Sequence, residues 1–247
     1  MEKQQGFGLS DMLISLLLSS LIMSALINQY VHAKQNYQYT RTAIEKAFEL
    51  QLVTNLMRDR VRRAGFTPCQ GIHHLTTLDM RTHQGNIPAF DIGEGQQSFL
   101  KINRMSEYFD TVLYQLSPTQ LLATNNWALK RSQPVLIADC YHAEVQTVKH
   151  VRQTDEGQII TLALPLAFIY QESSYIGEWI EERFYLHAES AAKSSLYYQR
   201  QHPDELTADI HTMGVQAKQQ QGRILLQLEL GLGQNKFLQI DSMVRAV

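Results

Sequence analysis

Hydrophobic residues are most concentrated near the N-terminal end of the chain. Sixteen consecutive residues, from Met12 to Ile27, carry no charge, and nine of them are Leu or Ile. Those nine contribute roughly −0.3 to −0.6 kcal/mol each to membrane insertion, or about −3 to −5 kcal/mol in sum. A helix over residues 7–30 spans roughly 36 Å, which exceeds a hydrocarbon core of about 30 Å. The pattern therefore predicts a membrane-spanning helix at residues 7–30.

The helical pattern continues well beyond this apolar run. Neither Gly nor Pro occurs between Leu9 and Ala64, and Gly65 and Pro68 then provide a stop signal. Polar residues occupy the opposite side of residues 31–65. We therefore expect an amphipathic continuation of the same helix, with its apolar face packed on a folded domain. The apolar positions of this half recur at helical spacing: Tyr30, Tyr37, Ile44, Phe48, Leu52 and Leu56, with Val53, Met57, Val61 and Ala64 beside them.

The remaining part of the chain, residues 66–247, has the pattern of a β-rich globular domain. Residues 66–100 are rich in loop-forming residues, and short β-like runs separated by turn residues follow. Because no helical segments alternate with these runs, they predict antiparallel sheets and an α+β fold. The predicted strands are Phe99–Asn103, Thr111–Leu116, Pro134–Asp139, Ala143–Val151, Ile159–Ala163, Trp179–His187, Ser195–Arg200, Ile210–Val215, Ile224–Leu230 and Phe237–Val244.

Charge and cysteine content narrow the functional classes. The formal net charge is −2, so the composition gives no case for nucleic-acid binding, although a local patch is not excluded. The basic residues Arg58, Arg60, Arg62 and Arg63 cluster where the helix should end. We assign them to the helix end and to subunit packing, with binding of DNA or an acidic partner as the alternative.

The chain has two cysteines, Cys69 and Cys140. In a cytosolic protein they would be free thiols, whereas in an exported domain they would form one disulfide. The redox state thus depends on which side of the membrane the domain occupies.

No motif of an enzyme or a metal site is found. The sequence has no Gly-x-Ser-x-Gly, no phosphate-binding Gly-Lys-Ser/Thr loop and no His-Glu-x-x-His. The acids Glu178, Glu181 and Glu182 fall on one predicted strand, where we expect a solvated edge and no catalytic carboxylate pair. The histidines His73, His74 and His83 lack partners at zinc-ligand spacing. We therefore expect no catalytic residue, no metal and no cofactor.

Three kinds of N-terminal segment explain an apolar run behind a short polar leader. A secretory signal has a positive leader and a small-residue cleavage site after the run. Here the leader has one Glu and one Lys, and no such site follows Ile27. An ordinary membrane anchor explains the hydrophobicity alone. It gives no reason for the junction Gly6-Phe7 ahead of the run, or for Asp11 at the same end.

The residues Gly6, Phe7 and Asp11 in this order resemble the class III signal of type IV pilins, the third kind of segment. The resemblance implies that a prepilin peptidase removes residues 1–6 and that the new N-terminal Phe7 is methylated. It also implies that the acid at Asp11 pairs with the new amine and supports subunit docking. The family usually has Glu at this position, so the side chain is one methylene shorter here. Small residues at Ser15, Ser19, Ser20 and Ser24 favour close helix packing in lipid.

Later segments resemble PilW-type minor pilins. The run Leu56–Cys69 resembles that family's Arg-rich helix exit, which continues into Ala-Gly-aromatic and a Cys. The run Pro134–Val148 resembles its strand-Asp-Cys-strand region, and Ser195–Arg200 with Glu205-Leu206 resembles a downstream strand and turn. The resemblance implies a pilin-like fold and a disulfide between Cys69 and Cys140.

These observations lead to one functional expectation with two alternatives. We expect a minor pilin, held in the inner membrane by a single pass with its domain in the periplasm and later found in the pilus fibre or tip. Its partners would be a prepilin peptidase, other minor pilins, the major pilin and the inner-membrane assembly platform. One alternative is a pseudopilin of type II secretion or DNA uptake. The other is a membrane-anchored periplasmic binding or adhesion module that never polymerises.

Overall fold

The structure, a computed structural model, describes residues 8–82, 84–93, 98–170, 173–190, 193–220, 223–233 and 236–244. The chain divides into two compact units, Met1–Leu52 and Val53–Val247. The described part of the first unit is helical. The second unit begins with the last turns of the same helix and contains every strand of the described residues.

The helix α1 runs without interruption over Leu9–Arg62, which confirms the single long helix predicted from the absence of Gly and Pro. Burial within it is confined to Val53, Met57 and Val61, which are four residues apart and lie on one face. Earlier apolar positions, including Phe48 and Leu52, are exposed. The expected burial of an amphipathic face is therefore seen only in the last turns.

A backbone turn at Gly65 ends the helical segment. Gly65 has a φ of +69°, and its N–H donates to the C=O of Asn103 at 2.8 Å. A Cβ at this position would lie 2.7 Å from the Cβ of Ala89. Both the left-handed backbone and the close approach require glycine, so the predicted stop signal has a structural cause.

Fourteen strands are present among the described residues, together with a short 3-10 helix at Ile72–His74. The strands are β1 Thr76–Asp79, β2 Gln84–Gly85, β3 Phe90–Gly93, β4 Phe99–Ser117, β5 Gln120–Ala123, β6 Pro134–Ala138, β7 His142–Thr154, β8 Gly157–Leu162, β9 Tyr175–Ser190, β10 Lys193–Gln199, β11 Pro203–Thr207, β12 Thr212–Gln220, β13 Arg223–Gly231 and β14 Phe237–Met243.

Six of these strands close into a ring. β4 pairs with β9 and β5, β5 with β8, β8 with β7, β7 with β6, and β6 with β9, all antiparallel. β4 and β7 are long enough to change partners along their length. A closed ring leaves no free sheet edge. The exception is a stretch of strand that lies beyond the end of one neighbouring strand and before the start of the next.

A hydrophobic core fills the inside of this ring. Every ring strand contributes to one cluster of packed side chains. Representative members, one from each strand in chain order, are Val112, Leu121, Val135, Val148, Ile160 and Ile176. The ring is therefore closed by hydrogen bonds and filled by its own side chains.

A second core lies on the opposite side of β6. Val135 and Ile137 belong to the ring interior, whereas Leu136 and Ala138 pack in a cluster with Trp179 of β9. This cluster also takes in residues that follow the helix exit, such as Ile72. The strand is buried on both faces, which explains its continuous apolar sequence.

The other strands extend or flank the ring. β10 and β11 continue the sheet beyond β9, β3 pairs with β4, and β1 lies between β7 and β2. β12, β13 and β14 form a separate antiparallel sheet. The Oγ of Ser242 in β14 donates to the C=O of Arg58 at 3.4 Å, which places this small sheet against the end of α1.

The strand predictions are confirmed in position but incomplete. All ten predicted runs overlap observed strands, and the first two are parts of the single strand β4. The stretch between them was missed because Arg104, Ser106 and Asp110 interrupt the apolar pattern, although all three are buried. The loop-rich stretch 66–100 contains β1, β2 and β3, and β5 and β11 were also missed. The expectation of antiparallel pairing is wrong for β1 and β7, which are parallel.

Candidate functional site

The apolar part of α1 is the first component of the candidate site. Among the described residues, this helix alone is long and apolar enough to cross a membrane by length and composition. Its serine hydroxyls bond within the helix: the Oγ of Ser15 donates to the C=O of Met12 at 2.9 Å, and that of Ser20 to Leu17 at 2.8 Å. Ser19 donates in the same way to Ser15. These hydroxyls therefore bring no unsatisfied donor into an apolar environment.

The acid predicted to support docking lies at the start of this helix. Asp11 is exposed in the first turn, and its N–H donates to the C=O of Gly8 at 3.0 Å. A negative side chain is favourable there because it faces the positive end of the helix dipole. Gly6 and Phe7, the predicted cleavage and methylation residues, lie outside the described residues.

The arginines at the end of α1 do not form a uniform basic patch. Arg63 bonds Asp59, with N–O distances of 2.9 and 3.0 Å, and also Glu107, at 2.8 Å. Arg60 lies 3.4 Å from the carboxylate of Glu182. Half of the cluster is thus neutralised by acids of its own unit, which favours the helix-end role over nucleic-acid binding. Arg58 and Arg62 remain exposed.

A buried ion cluster fastens the end of the helix to the sheet. The carboxylate of Glu182 in β9 is fully buried and lies 3.3 and 3.4 Å from the guanidinium of Arg104, which is itself 4% exposed. Tyr198 of β10 donates its hydroxyl to Glu182 at 2.8 Å. Together with Arg60, these residues connect α1, β4, β9 and β10 through a single carboxylate.

This cluster changes the ionisation of the tyrosine. Burial raises the pKa of Tyr198 to about 12, and the negative charge of Glu182 acts in the same direction. The phenol therefore stays a hydrogen-bond donor throughout the physiological range.

The expectation of a solvated acidic edge is wrong for Glu182, whereas Glu178 and Glu181 are partly exposed. Glu182 is buried, Glu178 bonds Arg200 at 3.1 Å, and Glu181 accepts from Lys101 at 2.7 Å and from Arg81 at 3.1 Å. Burial alone raises the pKa of Glu181, but the two cationic donors outweigh burial and hold that pKa below its usual value. The sequence signal for the buried Glu182 is Arg104, a basic residue among the apolar positions of β4, because a buried arginine needs an acid as its partner.

The two predicted disulfide residues are bonded. Cys69 and Cys140 have Cα atoms 5.2 Å apart, and in the described part of the chain there is no free cysteine. The Nε2 of Gln70 donates to the C=O of Cys140 at 2.6 Å, and Asp139 accepts the N–H of Tyr141 at 2.7 Å. The bond ties the loop after α1 to the hairpin between β6 and β7.

The predicted histidines show no metal-binding arrangement in the part of the chain that is described. His73 and His74 lie next to each other with ring centroids 4.0 Å apart, and His83 lies outside the described residues. Burial, followed by the neighbouring His74, lowers the pKa of His73. The described residues contain no group of three His, Cys, Asp or Glu side chains placed to hold an ion.

A second buried acid lies on β7. Glu144 is fully buried, and one of its oxygens accepts the N–H of Ala167 at 2.7 Å. The other oxygen, Oε1, has no hydrogen-bond partner among the described residues. Burial raises the pKa of this carboxyl. Nothing in the sequence pattern distinguished this position from an ordinary surface acid.

Comparison with protein-family models, with curated proteins and with solved structures finds no significant match. The functional argument therefore rests on the residues and the geometry described above.

Proposed function

We propose that the protein is a minor pilin of a type IV pilus system, which takes part in assembly by priming or capping the fibre. The observation that carries this proposal is α1, an uninterrupted helix whose first half is apolar and exposed and whose end is fixed to a disulfide-bonded β-rich unit. A helix of this kind can lie in lipid and can later exchange lipid for neighbouring helices. The polypeptide needs no refolding for that exchange.

The N-terminal signal supplies the chemistry of docking in this proposal. Cleavage after Gly6 creates an amine at Phe7, four residues ahead of Asp11. An unpaired charge is costly in lipid, so a carboxylate and an amine placed together stabilise each other. Asp11 would pair with the amine of its own or a neighbouring subunit, and this pairing would favour insertion into the growing fibre.

The disulfide supports the location of the β-rich unit outside the cytoplasm. Disulfides persist in oxidising compartments such as the periplasm and are rare in the cytosol. A single inner-membrane pass with a periplasmic domain is therefore proposed. The partners are the prepilin peptidase, the other minor pilins with the major pilin, and the assembly platform.

N-terminal mass spectrometry is the deciding experiment. After co-expression with a prepilin peptidase, the mature chain should begin at methylated Phe7. Gly6→Leu should leave the leader in place, whereas Gln4→Leu, a change within the leader away from the junction, should not. A chain that keeps Met1 in the presence of active peptidase would contradict the proposal and favour a membrane-anchored module that never polymerises.

The docking role of Asp11 has its own matched variants. Asp11→Ala should reduce co-purification with partner subunits and lower the number of pili per cell, because the charge that meets the amine is gone. Asp11→Glu keeps that charge and should preserve both. If the alanine variant behaves like the parent, Asp11 has no docking role, and the proposal of cleavage after Gly6 is unaffected.

A further inference from the structure

One edge of β9 loses its strand partner for four residues. Along one side β9 pairs with β4, through residues up to Tyr185. Along the other side it pairs with β6 up to Glu178 and with β10 from Arg183 onward. Residues 179–182 therefore face no strand on that side. At about 3.4 Å per residue, this gap is roughly 14 Å long.

The backbone groups at this gap point outward. Asn103 of β4 lies opposite Glu181. The N–H of Asn103 donates to Ala89 at 2.9 Å, and its C=O accepts from Gly65, so both groups turn away from β9. Residues directly opposite each other in an antiparallel pair share this orientation. The N–H and C=O of Glu181 therefore also turn away from β4, into the gap.

The gap opens into a groove with a volume of about 910 Å³. One wall is the loop of residues 127–134, and the opposite wall follows the end of β10. The first wall is fixed in place, because the buried carboxylate of Asp110 accepts the N–H of Asn126 at 2.7 Å and that of Trp127 at 3.3 Å. The groove is thus a preformed feature.

The lining of the groove combines two tryptophans with several charged side chains. Trp127 and Trp179 belong to the lining, and their buried indole N–H groups have no acceptor among the described residues. Lys130 and Arg131 also line it and make no ion pair within the described part of the chain. Two acids of the lining, Glu178 and Glu181, are already bound to cations of their own. Asp204, an exposed acid, also lines the groove without an ion pair among the described residues, so two unpaired cations and one unpaired acid leave a net positive charge.

From the open edge of β9 and the net positive charge of the lining, we propose that this groove binds an extended, acidic segment of a partner protein as an added β-strand. Main-chain bonds to Glu181 would align the segment antiparallel to β9, between the ends of β10 and β6. A carboxylate on the segment would meet Lys130 and Arg131. Edge pairing supplies affinity, and side-chain pockets supply selectivity. This inference does not depend on the assembly role proposed above.

Peptide binding to the full chain in detergent tests the proposal. The probe is a fluorescent hexapeptide of alternating valine and threonine with one central aspartate, and anisotropy reports binding. The same peptide N-methylated at alternate residues lacks main-chain donors and should bind at least roughly tenfold more weakly. Replacing the aspartate by asparagine should weaken binding by a smaller factor. The peptide should also slow amide hydrogen exchange at residues 179–182.

Two matched pairs of variants locate the site. Glu181→Pro and Glu181→Ala both remove the side chain, but only the first removes the N–H that faces the gap. Proline is tolerated where that N–H bonds no strand. The proline variant should bind the peptide roughly fivefold more weakly than the alanine variant. The double variant Lys130→Glu with Arg131→Glu should lose binding of the acidic peptide, whereas Lys149→Glu, at an exposed position of β7, should not.

Several results would overturn the proposal. One is a Glu181 amide that is already protected from exchange in the free chain. Another is equal affinity for the parent and N-methylated peptides, or no binding of any peptide at millimolar concentration. Self-association that Glu181→Pro abolishes while the peptide fails to bind would assign the groove to a second copy of this chain. If the proline variant does not fold, the exchange and N-methylation measurements on the parent chain decide the matter.

Discussion

At the scale of single residues, Glu182 is the acid on which the buried ion cluster of the β-rich unit depends. Its carboxylate is fully buried and has Arg104, Arg60 and Tyr198 around it. A buried ion pair adds little net stability compared with an apolar pair, but removing one member leaves the other charge uncompensated. The residue is therefore a point of high sensitivity for folding.

Glu182→Gln should lower the free energy of unfolding by about 3–5 kcal/mol, because Arg104 then remains buried without a carboxylate. Urea unfolding followed by the fluorescence of Trp127 and Trp179 measures this change. Glu178→Gln breaks a partly exposed pair with Arg200 and should cost no more than about 1 kcal/mol. Similar losses of unfolding free energy for the two variants would show that the buried ion cluster contributes no more to stability than the partly exposed pair does.

Burial of Glu144 should make the stability of the protein depend on pH. Its folded-state pKa is raised, so folding favours the protonated acid. Its contribution to stability is therefore fully present below the ordinary glutamate pKa, roughly pH 4, and is lost as the pH rises through the folded-state pKa.

Glu144→Gln should therefore stabilise the protein at pH 7 and leave its stability near pH 4 unchanged. The amide still offers an oxygen to the N–H of Ala167. Urea unfolding at both pH values gives the comparison, with Glu229→Gln at an exposed position as the control. A variant that is less stable than the parent at pH 7 would contradict this account.

At the scale of elements, α1 combines two different environments in one helix. Met57 is fully buried in the β-rich unit, whereas Leu52, five residues earlier, is 67% exposed. Helical spacing alone does not separate these positions, because both belong to the apolar pattern. What separates them is whether the sheets of the same chain reach that far along the helix.

Met57→Ala should cost about 2–5 kcal/mol of unfolding free energy, through lost burial and the cavity left behind. Leu52→Ala changes an exposed side chain of the same helix and should stay within about 0.5 kcal/mol. Chemical unfolding of the full chain in detergent measures both. A large loss at Leu52 would mean that the helix is covered further than the exposed positions indicate.

The sequence predicted the positions of the helix and the strands better than it predicted which strands pair or pack together. The extent of α1, the turn at Gly65 and the positions of most strands follow from periodicity and from Gly and Pro. The fully buried Glu182 does not, because two adjacent acids on a strand look like a surface. β6 was found because it is apolar throughout, but which strands cover its two faces depends on residues distant in the chain.

At the scale of the whole molecule, the closed ring could not be predicted from sequence. Its ladders join distant residues: Leu100 pairs with Phe184, 84 positions later. Pattern and spacing report the local period of a strand but not its neighbours. The edge of β9 left open at residues 179–182 has the same origin, since it depends on where β6 ends and where β10 begins.

The apolar half of α1 gives the whole chain one helix that is long and apolar enough to cross a membrane. Leu18→Arg should strongly reduce membrane retention, because a central Arg costs about 2.5–3.5 kcal/mol against about −3 to −5 kcal/mol for the whole run. Leu18→Ala should leave retention close to that of the parent. Alkaline extraction of membranes from expressing cells measures the retained fraction, and an arginine variant retained like the parent would contradict a membrane-spanning role.

The position of the disulfide also determines how the chain carries mechanical load. Cys69 follows the end of α1 by seven residues, and its partner lies 71 positions further on. Tension applied between α1 and β14 passes directly through this bond, so β1 to β6 lie in a loop that carries none of it. Reduction would release roughly 240 Å of slack chain. When α1 is pulled, the disulfide thus protects β1 to β6 from unravelling.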